Sequence, residues 1–119
     1  MAVPEDGGVA LLPIKPEFAG AILAGTKRVE FRKAPFRRKV THVVIYASTP
    51  VQRVVGWFRV GDVDSGTPSE LWSRHASHGG IAADAYDAYY GDRESAVAIG
   101  VAEVTVLCTP LPLSELGVT

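Results

Sequence analysis

Apolar and polar positions along the chain follow two different periods, and the changes of period divide the chain into eight elements. A short apolar run suits a strand that ends at Lys15, and Pro16 then stands at a first helical position, with an apolar stripe that stops at Gly25. Further alternating and β-branched segments predict the remaining strands. The predicted elements are strand 9–14, helix 16–24, strand 28–32, strand 40–47, strand 52–63, helix 67–74, helix 81–90 and strand 95–107.

The order of these elements, β-α-β-β-β-α-α-β, contains three β runs in succession and no regular β-α-β alternation. It favours an α+β fold, a mostly antiparallel, strongly curved sheet or small barrel with short flanking helices. The segment Thr67-Pro68-Ser69-Glu70 combines a capping box with a proline at the first helical position, which is a specific helix start. We predict a single domain over residues 9–119 after a flexible leader at 1–8.

Composition narrows the classes of function. The chain has 119 residues, of which 47% are hydrophobic and 21% charged, as in an ordinary globular domain. Its single cysteine excludes an internal disulfide framework and a thiolate zinc cluster within one chain. Since residues 1–8 lack the basic and apolar regions of a signal peptide, and no apolar stretch approaches the roughly 20 residues of a membrane span, we expect a cytoplasmic protein without a membrane partner.

The total formal charge of −1 hides an uneven distribution. Residues 27–39 hold seven basic residues and one acidic residue, a formal charge of +6, whereas residues 62–94 hold seven acidic and two basic residues. The total formal charge of −1 excludes nonspecific coating of DNA, which needs a strongly basic protein. The layout is typical of a polyanion-binding face on an otherwise acidic protein, and a merely solvated charged face is the alternative interpretation.

Six segments, in order, resemble the ASCH domain, the activating-signal-cointegrator homology branch of the PUA-like superfamily. The most specific is the Gly-x-Lys-x-x-Glu-x-Arg pattern of Gly25, Lys27, Glu30 and Arg32. The others are Leu12-Pro13-Ile14-Lys15-Pro16, Tyr46-Ala47-Ser48, Val54-Val55-Gly56, Ser69-Glu70-Leu71-Trp72 and Tyr89-Tyr90-Gly91. The resemblance covers residues 9–116 and implies a PUA-like β-barrel with a cleft that faces the strand after the first helix. It also implies binding of RNA or modified nucleotides, in the regulation of translation or transcription.

Lys27 is the leading candidate for a functional side chain. Strand alternation places it on the same side as Val29 and Phe31, where an ammonium group is costly unless it opens into a polar cleft. In such a cleft it could hold a phosphate or polarise a carbonyl, and partial burial would lower its pKa toward the range of a useful base. A lysine of an exposed turn would have no such role.

Glu30 and Arg32 lie two residues apart on the face that alternation predicts to be exposed to solvent. They form either a structural ion pair, worth little if exposed, or a binding pair in which Glu30 accepts from a base edge and Arg32 engages a phosphate or stacks on a base. Lys15 and Lys33 flank them as electrostatic contributors, and Tyr46 is the first choice for base stacking. The full predicted ligand-binding set is Lys15, Lys27, Glu30, Arg32, Lys33, Tyr46 and Ser48.

The resemblance also implies an alternative, because some ASCH relatives are enzymes. Certain small bacterial members hydrolyse the acetyl group of N4-acetylcytidine, and others have been proposed to cleave RNA. In the deacetylating relatives the motif lysine works with a threonine three residues later and with an acidic residue near the middle helices. Here Lys27 matches that lysine, but Glu30 stands at the threonine position and residues 75–80 hold no carboxylate. An enzyme would therefore be a metal-independent hydrolase with Lys27 and Glu30 in a rearranged site.

The leading hypothesis is an RNA- or nucleotide-binding domain whose basic loop, residues 37–39, contacts phosphates. We expect neither a cofactor nor a metal, since His75 and His78 lie in a Ser/Gly loop without a recognisable third ligand. A third interpretation is that the basic residues dock an acidic protein partner. The sequence leaves the oligomeric state open.

Overall fold

The computed structural model describes residues 8–116, and all but the last residue of the expected leader at 1–8 lies outside this range. Five strands and three α-helices follow each other in the predicted order. The strands are β1 Val9–Ile14, β2 Val29–Arg32, β3 His42–Ala47, β4 Arg53–Gly66 and β5 Ala96–Leu111. The helices are α1 Pro16–Ala24, α2 Pro68–His75 and α3 Ala83–Tyr90, and short 3₁₀ turns occupy Ala76–His78 and Leu113–Leu116.

The strands form one sheet in the order β1-β3-β4-β5-β2. β1 pairs in parallel with β3, and the other three pairings are antiparallel, which confirms the mostly antiparallel α+β fold. β1 and β2 stand at opposite ends of this order, yet Arg32 Nη1 on β2 donates a hydrogen bond to the Pro13 carbonyl oxygen on β1 at 3.4 Å. The curvature of the sheet therefore brings its two edges together, and we call the junction between them the seam.

The last strand is longer than the sequence pattern predicts. The sequence pattern predicts a strand that ends at residue 107, but β5 continues through Pro110 and pairs Leu111 with Val54 of β4. The ladder between β4 and β5 shifts register beside Gly56, where a Cβ atom would overlap the Thr105 carbonyl oxygen. A glycine in a strand often marks such a close approach of backbone, because any side chain would collide with it.

The ends of the helices follow the predicted signals. α2 begins with the capping box, in which Thr67 Oγ1 accepts the Glu70 N–H at 3.1 Å and Glu70 Oε1 accepts the Thr67 N–H at 2.9 Å. α1 begins with Pro16 and stops at Gly25, whose φ of +84° is the left-handed conformation that glycine adopts without strain. Within residues 8–116, no helix is long and apolar enough to cross a membrane.

Two apolar cores lie on the sheet and meet near the start of β2. The core beneath α1 consists of Ile14, Ala19, Ile22, Val43, Ile45, Ala47, Phe58, Val97, Ile99 and Val101. The core beneath α2 and α3 consists of Val29, Phe31, Leu71, Tyr86, Tyr90, Ala96 and Ala98. Phe18 packs against the first core and Phe31 belongs to the second, so the two rings mark the boundary between them.

Candidate ligand-binding cleft

A cavity of about 340 Å³ opens at the seam, and we call it the seam cleft. The end of β1 and the start of α1 form one wall, β2 forms the floor and α3 forms the opposite wall. Lys27, Glu30 and Arg32 line it together with Lys15, Phe18 and Tyr89. Its volume lies in the range of small-ligand pockets. Four of the predicted binding residues are thereby brought together.

Lys27 lies at the boundary of the two cores, with only 2% of its surface exposed. Its ammonium group donates a hydrogen bond to the Gly79 carbonyl oxygen and lies 3.9 Å from Glu30 Oε1. The centroids of the Phe18 and Phe31 rings are 5.1 and 5.2 Å from Nζ, which is within the range of cation–π attraction. Burial lowers the pKa of Lys27 because it removes the ammonium group from water, although Glu30 opposes this effect.

Glu30 is 6% exposed, so the expectation that it stands on a solvent-exposed face is wrong. The physical reason is the curvature of the sheet, which turns this face of β2 into the seam. Glu30 Oε2 accepts a hydrogen bond from Arg32 Nη1 at 3.3 Å, so the carboxylate is held between two cations. Burial raises the pKa of Glu30, and the neighbouring charges of Lys27 and Arg32 counteract part of that rise.

The Gly79–Gly80 segment covers Lys27, and the sequence pattern showed it only as a loop. Gly80 has a φ of +63°, and a Cβ atom there would lie 2.7 Å from the Cβ of Lys27. A Cβ atom on Gly79 would lie 2.9 Å from Cε2 of Phe31. Two adjacent glycines were the signal in the sequence, because they permit a backbone to pass this close to a side chain.

Of the other predicted residues, Lys15 lines the cleft, and Lys33, Tyr46 and Ser48 lie outside it. Lys15 is exposed at the wall of the cleft, whereas Lys33 stands outside it, with its Nζ 4.7 Å from the centroid of the Tyr89 ring. Tyr46 and Ser48 lie at the end of β3 and are not among the lining residues; the Ser48 N–H donates to the Ile14 carbonyl oxygen at 2.9 Å. A ligand-binding role for Tyr46 and Ser48 stays a prediction.

The wall that α3 contributes was missing from the predicted set. Ala85 and Tyr89 stand one helical turn apart and face the cleft together with Ile81, which precedes the helix. The sequence carried this signal, because the three positions are spaced by four residues. Tyr89 is the aromatic side chain of α3 that lines the cleft, which makes it a further stacking candidate beside Tyr46.

The basic loop of residues 37–39 lies away from the seam cleft. Arg38 Nη2 donates to the Val9 carbonyl oxygen at 3.3 Å, at the start of β1, whereas the cleft lies at the other end of that strand. The five steps between the six residues of β1, at about 3.3 Å each, place its two ends roughly 17 Å apart. The basic residues between positions 27 and 39 therefore lie in two separate regions, one at the seam and one at this loop.

Comparison with known proteins identifies the family. The sequence profile of the ASCH domain matches residues 12–105. The chain belongs to the ASCH domain family. A Zymomonas mobilis protein described as an ASCH domain-containing ribonuclease is 34% identical over 94 residues, which are 78% of this chain and 64% of that protein. The large ribosomal subunit protein uL22 of Ureaplasma parvum is 32% identical over 93 residues, which are 78% of this chain and 30% of that protein. This ASCH domain thus spans less than two thirds of either relative.

Solved structures agree with this assignment. The crystal structure of the Zymomonas mobilis ASCH protein superposes with a TM-score of 0.82 at 30% identity, over 89% of this chain and 74% of that one. A single-residue variant of the same protein gives a TM-score of 0.85 at 31% identity, over 93% and 78% of the two chains. The expected membership of the ASCH family and its PUA-like fold are confirmed.

Proposed function

We propose that this ASCH domain binds RNA, or a nucleotide derived from RNA, in the seam cleft. The observation that carries the proposal is the buried arrangement of Lys27, Glu30 and Arg32 at the floor of the cleft. Burying charged groups opposes folding unless they are paired, and a core of apolar side chains would be at least as stable. Titratable groups with perturbed pKa values in a cavity are therefore typical of a functional site.

The walls of the cleft offer the contacts that a nucleotide needs. Lys15 and the partly exposed Arg32 supply positive charge for a phosphate, and the Arg32 fork suits a planar anion. Tyr89 offers an aromatic face, with the Lys33 ammonium group beside it. Glu30 offers acceptor oxygens for the edge of a base. Single-stranded RNA is recognised by this combination of stacking, hydrogen bonding and phosphate contacts.

The similar proteins support the same class of ligand. The Zymomonas mobilis relative is described as a ribonuclease, which acts on RNA, and the Ureaplasma parvum relative is a ribosomal protein. Both matches cover 78% of this chain, and the ASCH profile, which matches residues 12–105, includes the motif from Gly25 to Arg32. We infer that the shared domain supplies contacts to RNA in this chain too.

Fluorescence anisotropy with a labelled single-stranded RNA of mixed sequence tests the proposal. We expect Lys27→Met to weaken binding about tenfold and the logarithm of the affinity to fall linearly with the logarithm of the salt concentration. Arg59→Gln is the matched control, because Arg59 pairs with Glu103 on an exposed part of the sheet outside the cleft. Undetectable binding, or binding that is independent of salt and of Lys27, would overturn the proposal.

The same assay locates the stacking residue. If a base stacks on Tyr89, Tyr89→Ala weakens binding by about 1–3 kcal/mol and Tyr89→Phe preserves it, because the aromatic face is retained. Tyr46→Ala, at the residue favoured by the sequence pattern, is expected to leave affinity unchanged. The opposite result, with Tyr46→Ala harmful and Tyr89→Ala harmless, would place the ligand outside the seam cleft.

A second candidate function is hydrolysis centred on Lys27 and Glu30. The lowered pKa of Lys27 favours it, because a larger fraction of the amine is then unprotonated near neutral pH and able to accept a proton. The description of the Zymomonas mobilis relative favours it too. Cleavage of RNA is favoured over deacetylation, since Glu30 stands where the deacetylating relatives hold a threonine. Incubation with labelled RNA and with N4-acetylcytidine, each with and without divalent cations, distinguishes the two reactions. If neither reaction occurs, RNA binding without catalysis remains the function of the cleft.

A further inference from the structure

The floor of the seam cleft carries a carboxylate oxygen that the fold itself does not use. Glu30 Oε2 accepts from Arg32 Nη1 at 3.3 Å, whereas Oε1 accepts no hydrogen bond within residues 8–116 and lies 3.9 Å from Lys27 Nζ. In the same part of the chain, no side-chain nitrogen or oxygen that is fully shielded from solvent lacks a hydrogen-bond partner. Oε1 is therefore open to solvent. Because Glu30 lines the seam cleft, a ligand reaches this oxygen from the cleft.

Lys27 also has hydrogen-bond donors that the fold leaves for a ligand. An ammonium group carries three N–H donors, and the Gly79 carbonyl oxygen accepts from one of them. The other groups around Nζ are the rings of Phe18 and Phe31 and the carboxylate of Glu30. All three of these side chains line the seam cleft. The remaining donors of Lys27 therefore lie on the cleft side of the ammonium group, next to Oε1.

Lys27, Glu30 and Arg32 form a row along the floor, and we call it the charged row. The exposed fraction of the side chain rises from 2% at Lys27 to 8% at Glu30 and 29% at Arg32, so the row runs from the deep end of the cleft to its mouth. Arg32 Nη1 donates to Glu30 and to the Pro13 carbonyl oxygen, and in the described residues Nε and Nη2 have no such acceptor. From the deep end, the row offers a donor, the two oxygens of one carboxylate, and a second donor.

One of the four RNA bases complements this order of groups. The Watson–Crick edge of guanine presents the acceptor O6 followed by two donors on neighbouring atoms, N1–H and N2–H, and two such donors match the two oxygens of a carboxylate. Adenine and cytosine place a ring-nitrogen acceptor beside their amino donor, and uracil places its N–H between two carbonyl acceptors. Each of these three bases turns an acceptor toward a carboxylate oxygen, which leaves both groups without a donor.

The walls of the cleft suit a flat ring whose edge points to the floor. Phe18 stands on the wall formed by α1 and Tyr89 on the opposite wall formed by α3, and both side chains are half-buried. A base between these two rings stacks on aromatic faces while its edge meets the charged row. The ribose is attached at N9, on the side of the ring away from N1, so it lies at the mouth beside Lys15 and Arg32.

We propose that the seam cleft selects guanine, with Glu30 accepting the N1–H and N2–H donors of the base and Lys27 donating to its O6 atom. This inference rests on the proposed binding of RNA in the same cleft and names the base that the cleft prefers. Glu30 is the specificity-determining residue, because its two oxygens distinguish a pair of donors from a donor beside an acceptor. The positive charges of Lys27 and Arg32 on either side favour its ionised form.

Competition binding tests the preference on the wild-type protein. Unlabelled trinucleotides that differ only in the base between two uridines displace a labelled single-stranded RNA. We expect guanine to bind about 10- to 100-fold more tightly than adenine, cytosine or uracil. Inosine, which lacks the 2-amino group, and 1-methylguanine, which lacks the N1–H, should each bind about tenfold more weakly than guanine. The matched control is 7-deazaguanine, which retains O6, N1–H and N2–H and is expected to bind like guanine.

A substitution at Glu30 tests the residue that reads the base. Glu30→Gln replaces one of the two acceptor oxygens by an amide donor, so the preference for guanine over inosine should fall below about twofold. Arg59→Gln, outside the cleft, should retain the full preference. Thermal unfolding checks that Glu30→Gln is folded. If it is not, the series of bases measured with the wild-type protein decides, since it needs no substitution in the protein.

The outcomes separate this inference from the proposed function. Affinities that agree within about twofold for all central bases, or a tighter affinity for a base other than guanine, overturn the inference and leave the proposed function intact. The same holds if a folded Glu30→Gln variant keeps the preference for guanine over inosine, or if no trinucleotide displaces a labelled RNA that is bound. A labelled RNA that does not bind at all overturns the proposed function.

Discussion

Lys27 and Glu30 form a buried ion pair, with 3.9 Å between Nζ and Oε1. The pair compensates the buried charge of Lys27 more than it compensates that of Glu30. Glu30 has a second cationic neighbour, Arg32, at 3.3 Å. Among residues 8–116, Glu30 is the one carboxylate within ion-pair distance of Lys27. Removing either residue therefore leaves a different charge behind, and the two removals have different consequences for stability.

Glu30→Gln is expected to destabilise the fold more than Lys27→Met. The first change leaves a buried ammonium group without its carboxylate, a situation that costs about 3–5 kcal/mol in other proteins. The second leaves Glu30 paired with Arg32 and replaces the ammonium group by an apolar chain of similar length. Urea unfolding at neutral pH measures both losses. Equal losses would mean that the Gly79 carbonyl oxygen, and not Glu30, is the main partner of Lys27.

The pH dependence of stability reports the direction of the Lys27 pKa shift. Because burial lowers this pKa below the ordinary value of 10.5, the unfolded chain holds the Lys27 proton to higher pH than the folded chain does. Stability then rises with pH between the folded pKa and 10.5. We expect the free energy of unfolding of the wild type, minus that of Lys27→Met, to increase over this window. A difference that decreases would show that Glu30 outweighs the effect of burial.

Gly80 tests whether the covering loop positions Lys27. Gly80→Ala introduces a Cβ atom 2.7 Å from the Cβ of Lys27, at a φ of +63° that already disfavours alanine. Gly25→Ala is the control, because Gly25 has a φ of +84° but nothing within 4 Å of a new Cβ atom. Both variants lose about 1–2 kcal/mol to backbone strain. Only Gly80→Ala is expected to lose RNA affinity as well, and equal affinities would show that the loop does not determine the position of Lys27.

Local signals in the sequence predicted most of the fold. The capping box at Thr67, the proline at position 16 and the left-handed Gly25 act through their nearest neighbours, so their effect is visible without knowing the tertiary structure. β5 was predicted too short because pairing with β4 carries the strand through Pro110, and pairing between distant segments is invisible in local patterns. The same limit applies to any element whose length is decided by its partner.

The seam cleft was predicted only in part, for a related reason. The motif pattern identified Lys27, Glu30 and Arg32, but alternation along β2 assigned Glu30 to solvent. Its burial follows from the meeting of β1 and β2, the two edge strands of the sheet, and alternation along a single strand does not show this meeting.

The basic loop gives a prediction that depends on the length of the RNA. Residues 37–39 lie roughly 17 Å from the seam cleft along β1, a distance of about five stacked nucleotides at about 3.4 Å each. Replacing Arg37, Arg38 and Lys39 together by glutamine should therefore weaken binding of a ten-nucleotide RNA and reduce its salt slope by about 2, at about 0.7 per phosphate contact. A trinucleotide that fills only the cleft should bind both proteins equally well.

The trinucleotide is also the control for folding, because a damaged cleft would weaken its binding too. If the triple variant loses affinity for both RNAs to the same extent, the loop acts on the cleft and not on the phosphates of a longer strand. If it loses affinity for neither, the exposed loop is a solvated surface, and positive charge at the seam alone attracts the RNA. Titrations of the two RNAs at two salt concentrations distinguish these results, since a direct phosphate contact changes the salt slope and an indirect one does not.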